Sequence, residues 1–299
     1  MKYYKIFGYI VKSSFSIDEA MEVEAQKYDI FVEMGMPPLA VKEVLETGVT
    51  CSVDRQIAWF YMKGIGMYYI AHGNHILVWK EGEGMTELIR NYHLLGSAFS
   101  LLLFQREVFP MHSGAVEKDG KAVLLLGGSG AGKSTTNMIL RQQGGNFIAD
   151  DITPLQLKNG KVMVSPAFPV QRVCKDTALR QKLDFDRLTY INPEKDKYAM
   201  FLQEGYCKED IPLAMIVELG LTYADAIEVR RVDGIEKINL LYHNVFQGLM
   251  LDVMGITERM HQSIFKIAQK VPVYQIIRPI NGFYSEIIAQ KILTMLQSC

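Results

Sequence analysis

Apolar and polar positions along the chain predict an alternation of strands and helices. Mainly apolar runs of strand length occur at Ala122–Leu126, Ala214–Glu218 and Val273–Ile277, and such runs are typical of buried strands. Apolar residues at helical spacing predict helices at Thr86–Phe104 and Thr257–Lys270. Strands interspersed with helices indicate an α/β protein in which helices pack against a mixed sheet.

The sequence predicts further strands, turns and helices. The first 75 residues contain the predicted strands Tyr4–Val11, Ile57–Tyr61 and Met67–Ile70 and a predicted hairpin turn at Gly73-Asn74. From residue 159 onward we predict a hairpin that turns at Asn159-Gly160, the strand Ile227–Val232 and the helices Ile235–Phe246 and Tyr284–Leu296. The beginning of the chain is therefore predicted to form a small α+β region.

A glycine-rich loop joins the predicted strand Ala122–Leu126 to a predicted helix, Ser134–Gln143. Its residues Gly127–Ser134 fit the pattern G-x-x-x-x-G-K-[ST], in which backbone N–H groups surround a phosphate and glycines allow positive φ angles. Lys133 is expected to reach the β- and γ-phosphates, and the Ser134 hydroxyl to bind Mg²⁺. The loop therefore predicts binding of ATP with Mg²⁺. The predicted nucleotide-binding residues are Gly128, Ser129, Gly130, Ala131, Gly132, Lys133, Ser134 and Thr135.

Two adjacent aspartates, Asp150 and Asp151, end the next apolar stretch after the loop. In a P-loop protein, an acidic residue at the end of a neighbouring strand faces the bound Mg²⁺. One carboxylate suffices for the metal, so a second one permits a division of labour in which it accepts a proton from an attacking hydroxyl. The alternative interpretation is an acidic turn after a strand. Beside a phosphate-binding loop, the pair favours a catalytic role.

Composition narrows the class of protein. The net charge is −1 and Lys and Arg are scattered, so the chain shows no basic footprint for nucleic acid or a membrane surface. The four cysteines lie far apart without C-x-x-C spacing, which fits a reduced cytoplasmic setting. The most apolar helix candidate, Leu94–Phe104, is too short to span a bilayer. We therefore expect a soluble cytoplasmic protein with neither nucleic acid nor membrane as a partner.

Three segments taken together resemble a known family. His112 in "HSGAV", the loop Gly127–Ser134 and "IADD" at Ile148–Asp151 are similar in order and spacing to the catalytic domain of HPr kinase/phosphorylase. The resemblance implies a P-loop domain of HPr kinase type, with a mixed sheet and flanking helices. It also implies that a serine hydroxyl attacks the γ-phosphate, with Asp151 as general base, Asp150 near the metal and His112 close to the pair.

Two basic residues extend this resemblance. Lys197, before "YAMFL", and Arg172, after the predicted hairpin, match basic residues of the family, which implies that they contact the substrate. The chain departs from HPr kinases at Thr135, where they have an acidic residue. As a whole it is more similar to the HPr-kinase-like proteins of ribosomal-peptide pathways, especially lasso-peptide kinases, which phosphorylate a serine of a precursor peptide.

These observations predict two regions. Residues 1–108 are expected to form an N-terminal α+β region that docks a peptide substrate, and residues 109–299 a catalytic domain that ends in helices. The predicted function is ATP- and Mg²⁺-dependent transfer of phosphate to a serine-type hydroxyl of a peptide or protein. A kinase of free serine and a non-catalytic, ATP-binding regulatory protein remain alternatives. The sequence is also compatible with self-association into a homo-oligomer.

Overall fold

The computed structural model describes residues 1–192 and 197–298, in two compact units. The first unit comprises Met1–Pro110 and Gln247–Met260, and the second comprises Met111–Phe246 and His261–Cys299. A segment from late in the chain thus belongs to the first unit. Separate roles for residues 1–108 and 109–299 stay a prediction.

The elements follow one another in mixed order along the chain. Up to residue 105 they are β1 (Lys2–Ile6), β2 (Tyr9–Ser13), β3 (Met21–Glu22), β4 (Ile30–Met34), α1 (Leu39–Glu46), β5 (Cys51–Val53), β6 (Ile57–Met62), β7 (Gly66–Ala71), β8 (His75–Lys80), α2 (Glu87–His93) and α3 (Phe99–Gln105). From residue 109 to 192 they are β9 (Phe109–His112), β10 (Gly114–Lys118), β11 (Lys121–Leu126), α4 (Lys133–Gln142), β12 (Asn146–Ala149), β13 (Ile152–Lys158), β14 (Lys161–Val164), β15 (Val170–Cys174), α5 (Lys175–Arg180) and β16 (Leu188–Asn192). From residue 197 onward they are β17 (Lys197–Phe201), β18 (Ile211–Thr222), β19 (Glu228–Val232), α6 (Gly234–His243), α7 (Gly248–Met254), α8 (Glu258–Lys270), β20 (Val273–Pro279) and α9 (Ser285–Gln297).

A mixed sheet with strand order β3-β1-β2-β4-β8-β7-β6-β5 forms the first unit. The predicted strands Ile57–Tyr61 and Met67–Ile70 are confirmed in β6 and β7. The prediction of a single strand at Tyr4–Val11 is wrong, because the chain reverses there. Phe7 and Gly8 take positive φ angles of 53° and 81°, which make the two-residue turn of a hairpin between β1 and β2.

The helix predicted at Thr86–Phe104 forms with one irregular turn. The Thr86 hydroxyl caps it by accepting a hydrogen bond from the Ile89 N–H at 3.3 Å. The helix continues from α2 through a π-helical turn, Leu94–Ala98, into α3, where nearly every side chain is buried. Within the part of the chain that the structure describes, no helix is both long enough and apolar enough to cross a bilayer.

Parallel strands organise the second unit around the glycine-rich loop. Its sheet includes the order β12-β10-β11-β18, and β20 pairs with the far end of β18. β11, β18 and β20 are parallel to one another, whereas β10 is antiparallel to both β11 and β12. The carboxyl ends of β12, β11, β18 and β20 therefore meet the amino end of β10 at one edge. The glycine-rich loop follows β11 at this edge, and the two aspartates follow β12 there.

Helices α4 and α9 pack on one buried cluster with these strands. Leu125, Val217 and Ile276 from three successive strands contribute to it, together with Ile139 from α4 and Ile288 from α9. Complete burial of such a side chain contributes about 1.5–3 kcal/mol. The cluster holds the helix that follows the loop against the strand that precedes it.

Several predicted elements of the second unit are confirmed, with corrected ends. The Asn159-Gly160 turn has φ angles of 50° and 75°, as a type I′ hairpin requires. The predicted helix Ile235–Phe246 stops at His243. The short strand predicted at Ala214–Glu218 is the middle of the longer β18, which first pairs with β14 and then with β20.

Candidate nucleotide-binding site

The glycine-rich loop takes the conformation that its glycines were expected to allow. Gly127, Gly130 and Gly132 have positive φ angles of 133°, 81° and 107°. A Cβ on Gly127 would lie 2.4 Å from the carbonyl oxygen of Leu219 on β18, a separation that no side chain tolerates. The loop therefore needs glycine both for its backbone angles and for its close packing on the parallel sheet.

Lys133 lies inside this loop at the start of α4. Its side chain is buried, and Nζ donates to the carbonyl oxygens of Gly127 at 2.5 Å and Gly128 at 3.3 Å. Nζ also lies 3.4 Å from Nε2 of His112. An ammonium can only donate, so the His112 nitrogen must accept in this contact. The structure thus places the predicted lysine and histidine side by side.

Asp150 lies against the predicted metal ligand Ser134. The aspartate is 7% exposed, and its Oδ1 atom is 3.3 Å from the Ser134 hydroxyl oxygen. Adjacent ligands of an octahedral Mg²⁺ ion are about 3 Å apart, given metal–oxygen distances near 2.1 Å. The two oxygen atoms therefore fit neighbouring positions around Mg²⁺. Within residues 1–192 and 197–298 there is no cluster of three or more His, Cys, Asp or Glu side chains suited to a metal, so phosphate oxygens would have to supply further ligands.

Asp151 faces the same side as Asp150, although it is the next residue. In a regular strand consecutive side chains point to opposite faces. Asp151 breaks that alternation with a left-handed φ of 67°, a conformation that Asp adopts more readily than most residues. Arg172 on β15 consequently contacts both carboxylates. Its backbone N–H donates to Asp150 Oδ2 at 2.9 Å, and its guanidinium forms an ion pair with Asp151 Oδ2.

The strand order corrects the expectation that the aspartates end the strand next to the one before the glycine-rich loop. His112 ends β9, and Ser113 separates it from β10, the strand that precedes the P-loop strand. The aspartates follow β12, which β10 separates from β11. Asp150 nevertheless reaches Ser134, and Gly114, at the start of β10, lies beside it. A Cβ there would lie 3.7 Å from Asp150 Oδ1.

We expect Gly114→Ala to destabilise the second unit by about 1–3 kcal/mol, the usual cost of overpacking a buried site. Its Cβ would lie 2.9 Å from Nδ2 of Asn137, a fully buried amide held by hydrogen bonds to Ala149 and Gln171. The loss of stability is measured by urea unfolding followed by circular dichroism. Tryptophan fluorescence would not report on the second unit, because both tryptophans, Trp59 and Trp79, lie in the first unit.

The matched control is Gly220→Ala, in β18 of the same unit. A Cβ there would meet Ile277 at 3.4 Å, an ordinary contact, so stability should hold or rise slightly. Equal unfolding midpoints for the Gly114 variant and the parent protein would contradict the close approach described here.

A buried polar network that the sequence did not reveal holds α4 in place. Gln171 on β15 is fully buried, donates to the Ser134 carbonyl at 3.2 Å and accepts from Arg141 at 2.6 Å. Asn137 donates to the Ala149 carbonyl at 3.2 Å. Burial lowers the pKa of the Arg141 guanidinium below its usual value. These contacts tie α4 to β15 and to β12, the strand that precedes the aspartates.

A second set of contacts joins the His112 segment to the parallel strands. The His112 N–H donates to the Asn244 carbonyl at 2.7 Å. The Asn244 side chain donates to Glu218 at 3.4 Å, and Gln275 donates to the same carboxylate at 2.7 Å. Glu218 lies opposite Leu126, the last residue before the loop. No local sequence feature distinguishes Asn244 or Glu218, so only the folded structure reveals their contacts.

Two further residues of the predicted site are Thr135, predicted to bind the nucleotide, and Lys197, predicted to contact the substrate. The Thr135 hydroxyl is 2.9 Å from the Thr177 hydroxyl on α5, so it forms a contact between helices. Lys197 is the first residue of β17, which pairs with β15. Lys197 lies opposite Cys174, and two residues later Ala199 lies opposite Arg172. The Lys197 side chain lies outside the described part of the structure. Its substrate contact stays a prediction.

Comparisons with known proteins add a distant likeness. No protein-family model matches the sequence, and no curated protein matches it. Among solved structures, the chain is similar to the Hpr(Ser) kinase/phosphatase from Coxiella burnetii, with 11% sequence identity and a TM-score of 0.33, over 63% of this chain and 97% of that chain. We therefore base the function on side-chain geometry. The resemblance to kinases of lasso-peptide pathways stays a prediction.

Proposed function

We propose that the second unit binds ATP with Mg²⁺ and transfers the γ-phosphate to a serine-type hydroxyl of a peptide or protein. One observation carries the proposal. The Ser134 hydroxyl and Asp150 lie 3.3 Å apart beside a phosphate-binding loop, while a second carboxylate, Asp151, is held separately by Arg172. This arrangement supplies both a metal-side pair and an additional base.

The proposed roles follow from the chemistry of each group. The loop amides and Lys133 hold the β- and γ-phosphates, and Ser134 and Asp150 hold the metal. Mg²⁺ supplies positive charge that stabilises the phosphate oxygens. The acceptor oxygen forms a bond to the γ-phosphorus as the bond to the bridging oxygen of ADP breaks, and Asp151 takes the hydroxyl proton. Arg172 orients Asp151 towards the acceptor.

The second carboxylate favours a kinase over a protein that only binds ATP. Metal binding needs one acidic side chain at this position, and Asp150 is placed for it. Asp151 is held in a left-handed backbone conformation, and such conformations cost about 1–3 kcal/mol and cluster at functional sites. A protein that only binds ATP would need no second carboxylate beside the metal.

Within this proposal the first unit contains the docking region for a peptide. Helix α1 supports this role, since none of its residues is buried. Leu39 and Val44 on this helix are 72% and 42% exposed. Exposed apolar side chains close together in sequence are suited to contact with the apolar residues of a peptide.

Transfer of labelled γ-phosphate separates the candidate functions. The full chain is incubated with ATP and Mg²⁺ and with one of three additions: a set of serine-containing peptides, free serine, or no acceptor. We expect label on the peptides, none on matched peptides with alanine in place of serine, and no transfer when EDTA removes Mg²⁺. Label on free serine alone would favour the small-molecule kinase. Binding of ATP without transfer to either acceptor would favour a regulatory protein.

A further inference from the structure

The carboxyl end of β20 brings an arginine to the rim of the glycine-rich loop. β20 is parallel to β18, with Arg278 opposite Leu221. Nη2 of Arg278 donates to the carbonyl oxygen of Gly130 at 3.3 Å. The same segment continues along the loop, since the Ser285 hydroxyl lies 3.8 Å from the place of a Cβ on Gly132. Residues 278–285 therefore flank the loop from Gly130 to the start of α4.

No carboxylate among the described residues forms an ion pair with this arginine. Its other hydrogen bond, from Nη1, goes to the Pro279 carbonyl at 2.9 Å. Across residues 1–192 and 197–298, Arg278 hydrogen-bonds only to backbone carbonyls and forms no ion pair. Burial lowers the pKa of the Arg278 guanidinium, which shows that its positive charge is partly desolvated. An anion beside Gly130 would compensate this cost.

We propose that Arg278 is a phosphate-binding residue, which donates from the rim of the loop to the phosphate chain of the bound nucleoside triphosphate. This inference rests on the proposed function, because it needs a nucleotide in the loop. A guanidinium has five donors in a planar fork suited to phosphate oxygens, and the two carbonyl contacts leave donors for a ligand. Arg278 would then add a second cation to the charge that Lys133 supplies.

Calorimetric binding of ATP, ADP and AMP to the full chain tests this role with Arg278→Gln. Glutamine keeps a polar side chain and removes the positive charge. We expect ATP affinity to fall about tenfold to a hundredfold, the effect of losing a charge-assisted hydrogen bond, and AMP affinity to change least. Arg278→Lys should recover part of the loss. The control is Arg231→Gln, an exposed arginine on the neighbouring β19, which should bind ATP normally.

The outcomes separate this inference from the proposed function. If the parent protein binds no ATP, the proposed function fails. If the parent protein binds ATP and Arg278→Gln binds it equally well, only the role of Arg278 fails. An equal loss for ATP, ADP and AMP, together with a lower thermal unfolding midpoint without nucleotide, would assign Arg278 to structure and would overturn the inference.

Discussion

Lys133→Ala is expected to weaken binding of ATP with Mg²⁺ about a hundredfold and to abolish measurable phosphate transfer. Each charged hydrogen bond to a phosphate is worth about 1.5–3 kcal/mol, and the lysine is placed to serve two phosphates. Its ammonium lies within the loop, 2.5 Å from the Gly127 carbonyl and beside His112. Alanine would leave the backbone amides in place and remove the only positive side chain of the motif itself, Gly127–Ser134.

Calorimetry and single-turnover transfer measure the two effects separately. The control is Lys161→Ala, an exposed lysine at the start of β14 in the same unit, which should bind and turn over ATP like the parent protein. Unchanged affinity together with unchanged turnover in the Lys133 variant would show that the loop does not hold a triphosphate.

Asp151→Asn is expected to reduce turnover by about 10²- to 10⁴-fold, the effect of losing a general base, while ATP affinity stays nearly intact. The amide keeps the size of the carboxylate but cannot accept the acceptor's proton at neutral pH. A loose transition state for phosphoryl transfer needs little early deprotonation, which favours the lower part of this range. Single-turnover kinetics across a Mg²⁺ titration measure the effect.

The ion pair with Arg172 demands a matched control. Both side chains are mostly buried, with exposures of 13% for Arg172 and 15% for Asp151, so the Asn variant also leaves a charge without its partner. Arg172→Met breaks the same pair and keeps the proposed base. We expect it to lower kcat less than Asp151→Asn does, because it removes the group that orients the base and keeps the base itself. Equal losses of kcat in both variants would assign Asp151 a positioning role.

Asp150→Asn distinguishes the metal ligand from the base. It should shift the Mg²⁺ requirement to higher concentrations, since an amide offers the metal no full negative charge. Asp150 also accepts the Arg172 backbone N–H, which the amide oxygen of Asn still can do. Interchangeable Mg²⁺ dependence in the two Asn variants would contradict the separate roles of Asp150 and Asp151.

Local features of the fold were predictable where few residues decide the conformation. The Asn159-Gly160 turn follows from two residues that tolerate positive φ, and Thr86 marks a helix start by its capping hydroxyl. The first strand was predicted wrongly because its apolar pattern continues through the turn. Phe7 is fully buried even though it occupies a turn position with positive φ, so its hydrophobicity concealed the reversal.

The candidate site also has one part that is predictable from local sequence and another that depends on the fold. The sequence alone determined the glycine-rich loop, because Gly127–Ser134 are contiguous and their glycines dictate the backbone angles. Only the tertiary structure decided which distant side chains meet it. The 3.3 Å approach of Asp150 to Ser134 depends on the order of β12, β10 and β11, and the position of Arg278 depends on β20 running parallel to β18. Local propensity does not specify which strands pair, because pairing is decided by long-range burial and chain closure.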